Sequence, residues 1–260
     1  MDKETISRDG TSIAYQRTGQ GPVVVLVSGA MSTGATVAPL AAVLSDRFGT
    51  VVYDRRGRGE SGDTAPYAVE REVEDLAALL DAVGGEAALY GISSGGALAL
   101  RAAASGLPVS RVAVYEPPFE VREGHERERA AYSDELAGAL AEGRRGDAVE
   151  LFLRVTGLAE QMIVSARQSP MWPGLEAIAP TLAYDDAVMG DGPVPREMLA
   201  SITVPVLAVA GDASPDRMRE AARQVAEAAP QGTYRLLKGQ AHAVEPEILA
   251  PVLAAFYDGA

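Results

Sequence analysis

The sequence predicts an α/β fold in which a mainly parallel sheet is covered by helices on both faces. Three observations carry that expectation. Runs at residues 23–27, 50–53, 111–115 and 204–211 are short, β-branched and mostly apolar, the pattern of strands buried on both sides. Helical periodicity fills the gaps at residues 37–44, 69–83 and 215–229, and strand alternating with helix implies parallel pairing. Between residues 117 and 203 the strand signal stops and charged helical patterns replace it, which reads as an inserted block.

Taken in order, residues 4–18 alternate loosely about Asp9-Gly10 and suggest an antiparallel hairpin that starts the sheet. The strand at 23–27 ends in Ser28-Gly29-Ala30-Met31-Ser32, and a helix follows around Val37, Leu40, Val43 and Leu44. From 69 to 83, Val69, Val73, Leu76, Leu80 and Val83 recur at helical spacing, with Glu70, Glu72 and Glu74 in the half where negative charge suits the helix dipole. Gly84-Gly85 should stop that helix. A strand at 87–90 leads through a glycine-rich turn into the alanine-rich pattern 97–104, whose small side chains let a helix lie close to a sheet. The inserted block carries helical patterns at 126–142, 147–155 and 159–168, interrupted by Pro170, Pro173-Gly174, Pro180 and the stretch 190–195. A strand at 233–237 and a helix at 245–257 complete the chain.

Composition removes several classes of function. With 36 acidic against 23 basic residues the net charge is −13, opposite to what phosphate binding requires, so a nucleic-acid partner is disfavoured. There is no cysteine, hence no disulfide framework, thiolate metal site or cysteine nucleophile. The polar start Met1-Asp2-Lys3-Glu4-Thr5 has no signal-peptide core, and no run reaches the roughly 20 apolar residues of a membrane span. The expectation is a cytoplasmic monomer or homodimer that meets a small-molecule substrate and no membrane.

The chemistry gathers at Gly91-Ile92-Ser93-Ser94-Gly95. Here a strand ends, a helix begins, and the G-x-S-x-G spacing centres on Ser93, the pattern of a nucleophile elbow. A serine on so sharp a turn needs small neighbours, which Gly91 and Gly95 supply. Its hydroxyl also needs a base, and the chain has two histidines. His242 lies in the loop after the last strand and is the candidate; His125 lies in the charged helical block, where a surface position is expected. One rival motif is set aside. Gly57, Gly59 and Gly62 spell G-x-G-x-x-G, but Asp54-Arg55-Arg56 precede the first glycine and Pro66 delays the helix, so the glycines cannot form the strand-to-helix turn of a dinucleotide site. Arg55, Arg56 and Arg58 read as part of a solvated loop.

These pieces together resemble the α/β-hydrolase superfamily over nearly the whole chain: the strand and loop at 23–31, Asp54-Arg55-Arg56-Gly57-Arg58-Gly59-Glu60-Ser61, the elbow, the inserted block and the terminal Gly239-Gln240-Ala241-His242. The resemblance implies an eight-stranded, mostly parallel sheet. It divides the chain into a core of residues 1–116 and 204–260 and a helical cap of residues 117–203 between strands six and seven. It also implies a serine hydrolase with no metal and no cofactor, acting on a small carboxylic ester or lactone through an acyl-enzyme on Ser93. The backbone amides of Ala30 and Ser94 would form the oxyanion hole. Two departures stand out: Ser28-Gly29 replaces the frequent His-Gly, and the usual acid position after strand seven is Ser214. Glu116, closing strand six, is then the favoured triad acid and Asp212 the alternative. Met171 and Trp172 are candidates to face substrate, though such residues also serve as plain cap core. The missing acid keeps open a lyase, decarboxylase or cyclase on the same pocket, or a non-catalytic ligand receptor.

Overall fold

Eight strands form one sheet in the order β1-β2-β4-β3-β5-β6-β7-β8 in the computed structural model, which describes residues 3–259. The strands are β1 (Lys3–Ile6), β2 (Ser12–Thr18), β3 (Val23–Val27), β4 (Gly49–Tyr53), β5 (Ala87–Ile92), β6 (Val109–Tyr115), β7 (Val206–Gly211) and β8 (Gly232–Leu237). The expected hairpin is the antiparallel pair β1 and β2, and β2 also pairs antiparallel with β4; every other pairing, from β4 across to β8, is parallel. Because successive side chains point to opposite faces, the apolar runs divide between two cores. Val25, Val27, Leu89, Val112, Val114 and Ala208 pack on one face against α2 (Val69–Val83), α3 (Ser94–Ala104) and α10 (Asp216–Ala228). Val24, Leu26, Tyr90, Ala113, Leu207 and Val209 pack on the other against α1 (Ala38–Leu44) and α11 (Pro246–Tyr257).

Helix α2 ends where the sequence puts the stop: Gly84 and Gly85 take φ of 130° and 94°, backbone that a side chain disfavours. The block between β6 and β7 holds α4 (Glu126–Ala141), α5 (Arg145–Val155) and α6 (Glu160–Arg167), close to the three expected patterns. It also holds three helices that the proline and glycine breaks concealed, α7 (Trp172–Ile178), α8 (Leu182–Met189) and α9 (Arg196–Ala200). The entry and exit of the block meet where Glu120 bridges to Pro193, with the Glu120 N–H bonded to Gly192 O at 2.7 Å. Leu136, Ala139, Ala148 and Leu182 form a small core of the block, and Ala30 and Met31 pack against it. The block therefore lies over the loop that follows β3. Among the described residues, no helix is long and apolar enough to cross a membrane.

Candidate active site

Parallel strands aim their carboxyl ends at one edge of the sheet, and the candidate residues stand at the ends of β3, β5 and β6 and in the loop after β8. Three non-glycine residues among those described have positive φ: Met31 at 52°, Ser93 at 56° and Glu116 at 46°. Each follows one of those adjacent strands. Such backbone strain costs of order 1–3 kcal/mol per residue and persists where the surroundings hold it.

The elbow shows how it is held. A side chain on Gly91 would stand 2.3 Å from Gly95 O, and one on Gly95 would stand 2.4 Å from Val27 O, so both glycines are required by close backbone approach. Ser93 donates its N–H to Tyr115 O at 2.9 Å, which ties the turn to the end of β6 next to Glu116. Gly29 lies against the serine: a Cβ there would be 3.0 Å from Ser93 Cβ and 3.6 Å from its Oγ. The loop carrying Ala30 is thus seated at the hydroxyl. Ser94 opens α3, so its N–H is among the first-turn donors that have no acceptor within the helix.

His242 and Glu116 meet. Nδ1 of His242 lies 2.8 Å from Glu116 Oε2, and Gly211 N–H donates to the other carboxylate oxygen at 2.8 Å. A carboxylate accepts only, so Nδ1 carries the proton of this bond, and in the neutral imidazole that tautomer leaves Nε2 with its lone pair. The Glu116 side chain is fully buried while that of His242 is 47 % exposed, an orienting group beneath a reachable imidazole. Burial opposes ionisation of Glu116, but the bonds from His242 and the Gly211 amide outweigh it and hold the carboxyl below the usual glutamate range. Ser214, at the position of the usual acid, is itself buried.

The remaining expectations fare differently. Asp212 accepts the Gly239 N–H at 2.6 Å and so fastens the turn after β8; His242 bonds to Glu116. Met171 is 74 % exposed, and Trp172 is buried in the block's own core, with Nε1 donating to Glu176 at 2.9 Å. His125, expected at the surface, is buried, and its Nδ1 donates to Arg122 O at 2.7 Å.

The arginine loop is the larger correction. Arg55, Arg56 and Arg58 are 0 %, 0 % and 1 % exposed instead of solvated. Carboxylates make this possible. Glu72 takes Arg55 at 2.6 and 2.7 Å, Asp75 takes Arg56 at 2.6 and 2.8 Å, and Asp9 takes Arg56 at 2.9 Å. Asp185, on α8, accepts from Arg55 and Ser94 Oγ on one oxygen and from Arg58 on the other, all at 2.8 Å. Asp185 escaped notice in the sequence because α8 itself did. A signal did exist for Glu72, which sits on the buried face of α2 with Leu76 and Leu79 and needs a cation there.

A serine at positive φ just after β5 and, one strand over, a histidine bonded to a buried glutamate stand at the carboxyl edge of an α/β sheet. A model of the alpha/beta hydrolase family matches residues 24–251, and the chain belongs to that family. An alpha/beta hydrolase of Sphaerobacter thermophilus has a crystal structure that superposes with a TM-score of 0.89 at 50 % identity, over 98 % of this chain and all of the other. The chain is 28 % identical to 2-(acetamidomethylene)succinate hydrolase of Mesorhizobium japonicum, covering 92 % of this chain and 89 % of that one. It is also 31 % identical, over 96 % of its length, to polyketide synthase ThaQ of Burkholderia thailandensis, of which it spans 12 %.

Proposed function

We propose that the protein is a serine hydrolase that cleaves small carboxylic esters or lactones through an acyl-enzyme on Ser93. The observation that carries the reading is the 2.8 Å bond from His242 Nδ1 to buried Glu116, one strand from a serine held at φ 56°. Ser93 Oγ attacks the ester carbon as Nε2 of His242 takes its proton, and the new C–O bond turns the carbonyl oxygen into an oxyanion. The N–H groups of Ala30 and Ser94 receive that charge; one such donor is worth about 100- to 1000-fold in rate. The imidazolium, stabilised by Glu116, then protonates the departing alkoxide, and water activated by the same histidine releases the acid. The helical block of residues 117–203 acts as the cap that closes over this chemistry. Membership of a hydrolase family and a relative named as a hydrolase support the reaction type.

A fluorophosphonate probe and a panel of nitrophenyl esters and lactones test the reading. Ser93 should be labelled, and Ser93→Ala should lose both labelling and turnover; turnover surviving in Ser93→Ala would end this proposal.

A further inference from the structure

Arg58 is the least expected residue near the candidate site, a buried guanidinium that bonds two backbone carbonyls of the loop bearing Ala30. Its Nη1 donates to Gly29 O at 2.6 Å and to Ser32 O at 3.3 Å, and its Nη2 donates to Asp185 Oδ2 at 2.8 Å. Gly29 O and the Ala30 N–H belong to the same peptide unit. That unit is planar and trans, so its carbonyl and its N–H point in opposite directions and turn together. Gripping the oxygen from one side therefore fixes where the hydrogen points on the other. A charge-assisted bond to the carbonyl also polarises the amide and strengthens its N–H as a donor. Ser32 Oγ adds a second bond to Gly29 O at 2.7 Å.

Asp185 holds the other end of this arrangement. Its second oxygen accepts from Ser94 Oγ and from Arg55 Nη1, each at 2.8 Å. One carboxylate thus reaches both walls of the oxyanion hole, the Gly29–Ala30 peptide through Arg58 and the start of α3 through the Ser94 hydroxyl. Asp185 comes from α8, which is fastened to the core nearby: Tyr184 stacks on Tyr67 with ring centroids 3.8 Å apart, and the Tyr184 hydroxyl donates to Asp63 at 2.7 Å. A helix secured in this way can serve as a fixed brace.

We propose that Arg58 and Asp185 are positioning residues that aim the two oxyanion donors, Arg58 by holding Gly29 O and Asp185 by bracing Arg58 and Ser94 from the helical insertion. The inference rests on the reading of Ala30 and Ser94 as those donors. Misdirected donors weaken binding of the tetrahedral state and leave binding of the planar ester nearly unchanged. Arg58→Met should therefore lower kcat about 100-fold, with KM within about threefold of wild type, and should weaken a boronic acid inhibitor about as much as kcat falls. Asp185→Asn should act in the same direction. Arg58→Lys, which keeps the charge and loses the two-pronged grip, should fall between Arg58→Met and wild type. It also carries the test should the other variants fail to fold. Asp147→Asn, in an exposed ion pair of the same block, should change neither reading.

Hydrogen exchange at residues 29–34 provides a measurement independent of catalysis. Faster exchange there in Arg58→Lys and Asp185→Asn, with the rest of the core unaltered, supports the brace. Folded variants with wild-type exchange in this loop and wild-type boronate affinity would overturn it, whatever Ser93 does. If the wild-type protein does not react with the fluorophosphonate, the hydrolase reading fails and hydrogen exchange alone decides whether the brace exists.

Discussion

Glu116 illustrates how one side chain can be placed by what surrounds it. It sits at the end of β6 at φ 46°, fully buried, with its two oxygens divided between Gly211 and His242. Removing its charge while keeping its shape should disrupt the orientation of His242, and Glu116→Gln should lower kcat roughly 10³- to 10⁴-fold. Asp212→Asn should remain near wild type, because Asp212 bonds the Gly239 amide and an asparagine oxygen can do the same. Steady-state kinetics on both variants decides between the carboxylates; the opposite ranking would move the acid to the loop after β7. The glutamate also has a signature in stability. Its native carboxyl is held below the ordinary value, so its stabilising contribution is complete above the unfolded value of about 4.3 and is lost as pH falls through the lower, native one. Denaturant titrations below pH 4.3 should show a shallower acid-side loss of stability in Glu116→Gln than in wild type.

Elements carry the next layer. The β5-turn-α3 unit was readable in the sequence because G-x-S-x-G between a strand and an alanine-rich helix has few other uses, and the close contacts of Gly91 and Gly95 give the reason. Gly95→Ala would press a methyl group into Val27 O and Ser28 O, at 2.4 and 2.5 Å before relaxation. We expect it to destabilise the protein by about 3 kcal/mol or more, measured as a shift in denaturation midpoint. Helix α2 offers a comparison from the core. Leu79 is fully buried on its sheet-facing side, and Leu79→Ala should lower stability by about 2–5 kcal/mol while leaving KM unchanged. The elements that sequence reasoning missed, α7 to α9, are of eight residues or fewer and bounded by proline and glycine. Helices that short gain their stability from packing instead of propensity, so local sequence alone does not announce them.

For the whole molecule, the buried ion pairs join parts that lie far apart in the chain. Asp9 and Asp75 meet on Arg56, Glu72 and Asp185 on Arg55, so β-hairpin, α2, the loop after β4 and α8 share one polar core. Removing one partner of such a pair strands the other charge out of water at about 3–5 kcal/mol. The insertion and the sheet should consequently unfold together. Calorimetry should give one transition with equal calorimetric and van't Hoff enthalpies, and a separate low-temperature transition for the helical block would contradict this coupling.

The sequence by itself determined the sheet, its two faces, the elbow at Ser93 and the place of His242, because strand alternation, helical period and glycine spacing are local and survive reading one residue at a time. For the histidine's partner it favoured Glu116 and left Asp212 as the alternative. Only the tertiary structure brought Glu116 to His242, buried the three arginines and set Asp185 beside Ser94. Those outcomes depend on polar groups 17 to 130 positions apart meeting in a medium where an unpaired charge is costly, and no local pattern records which partner each will find.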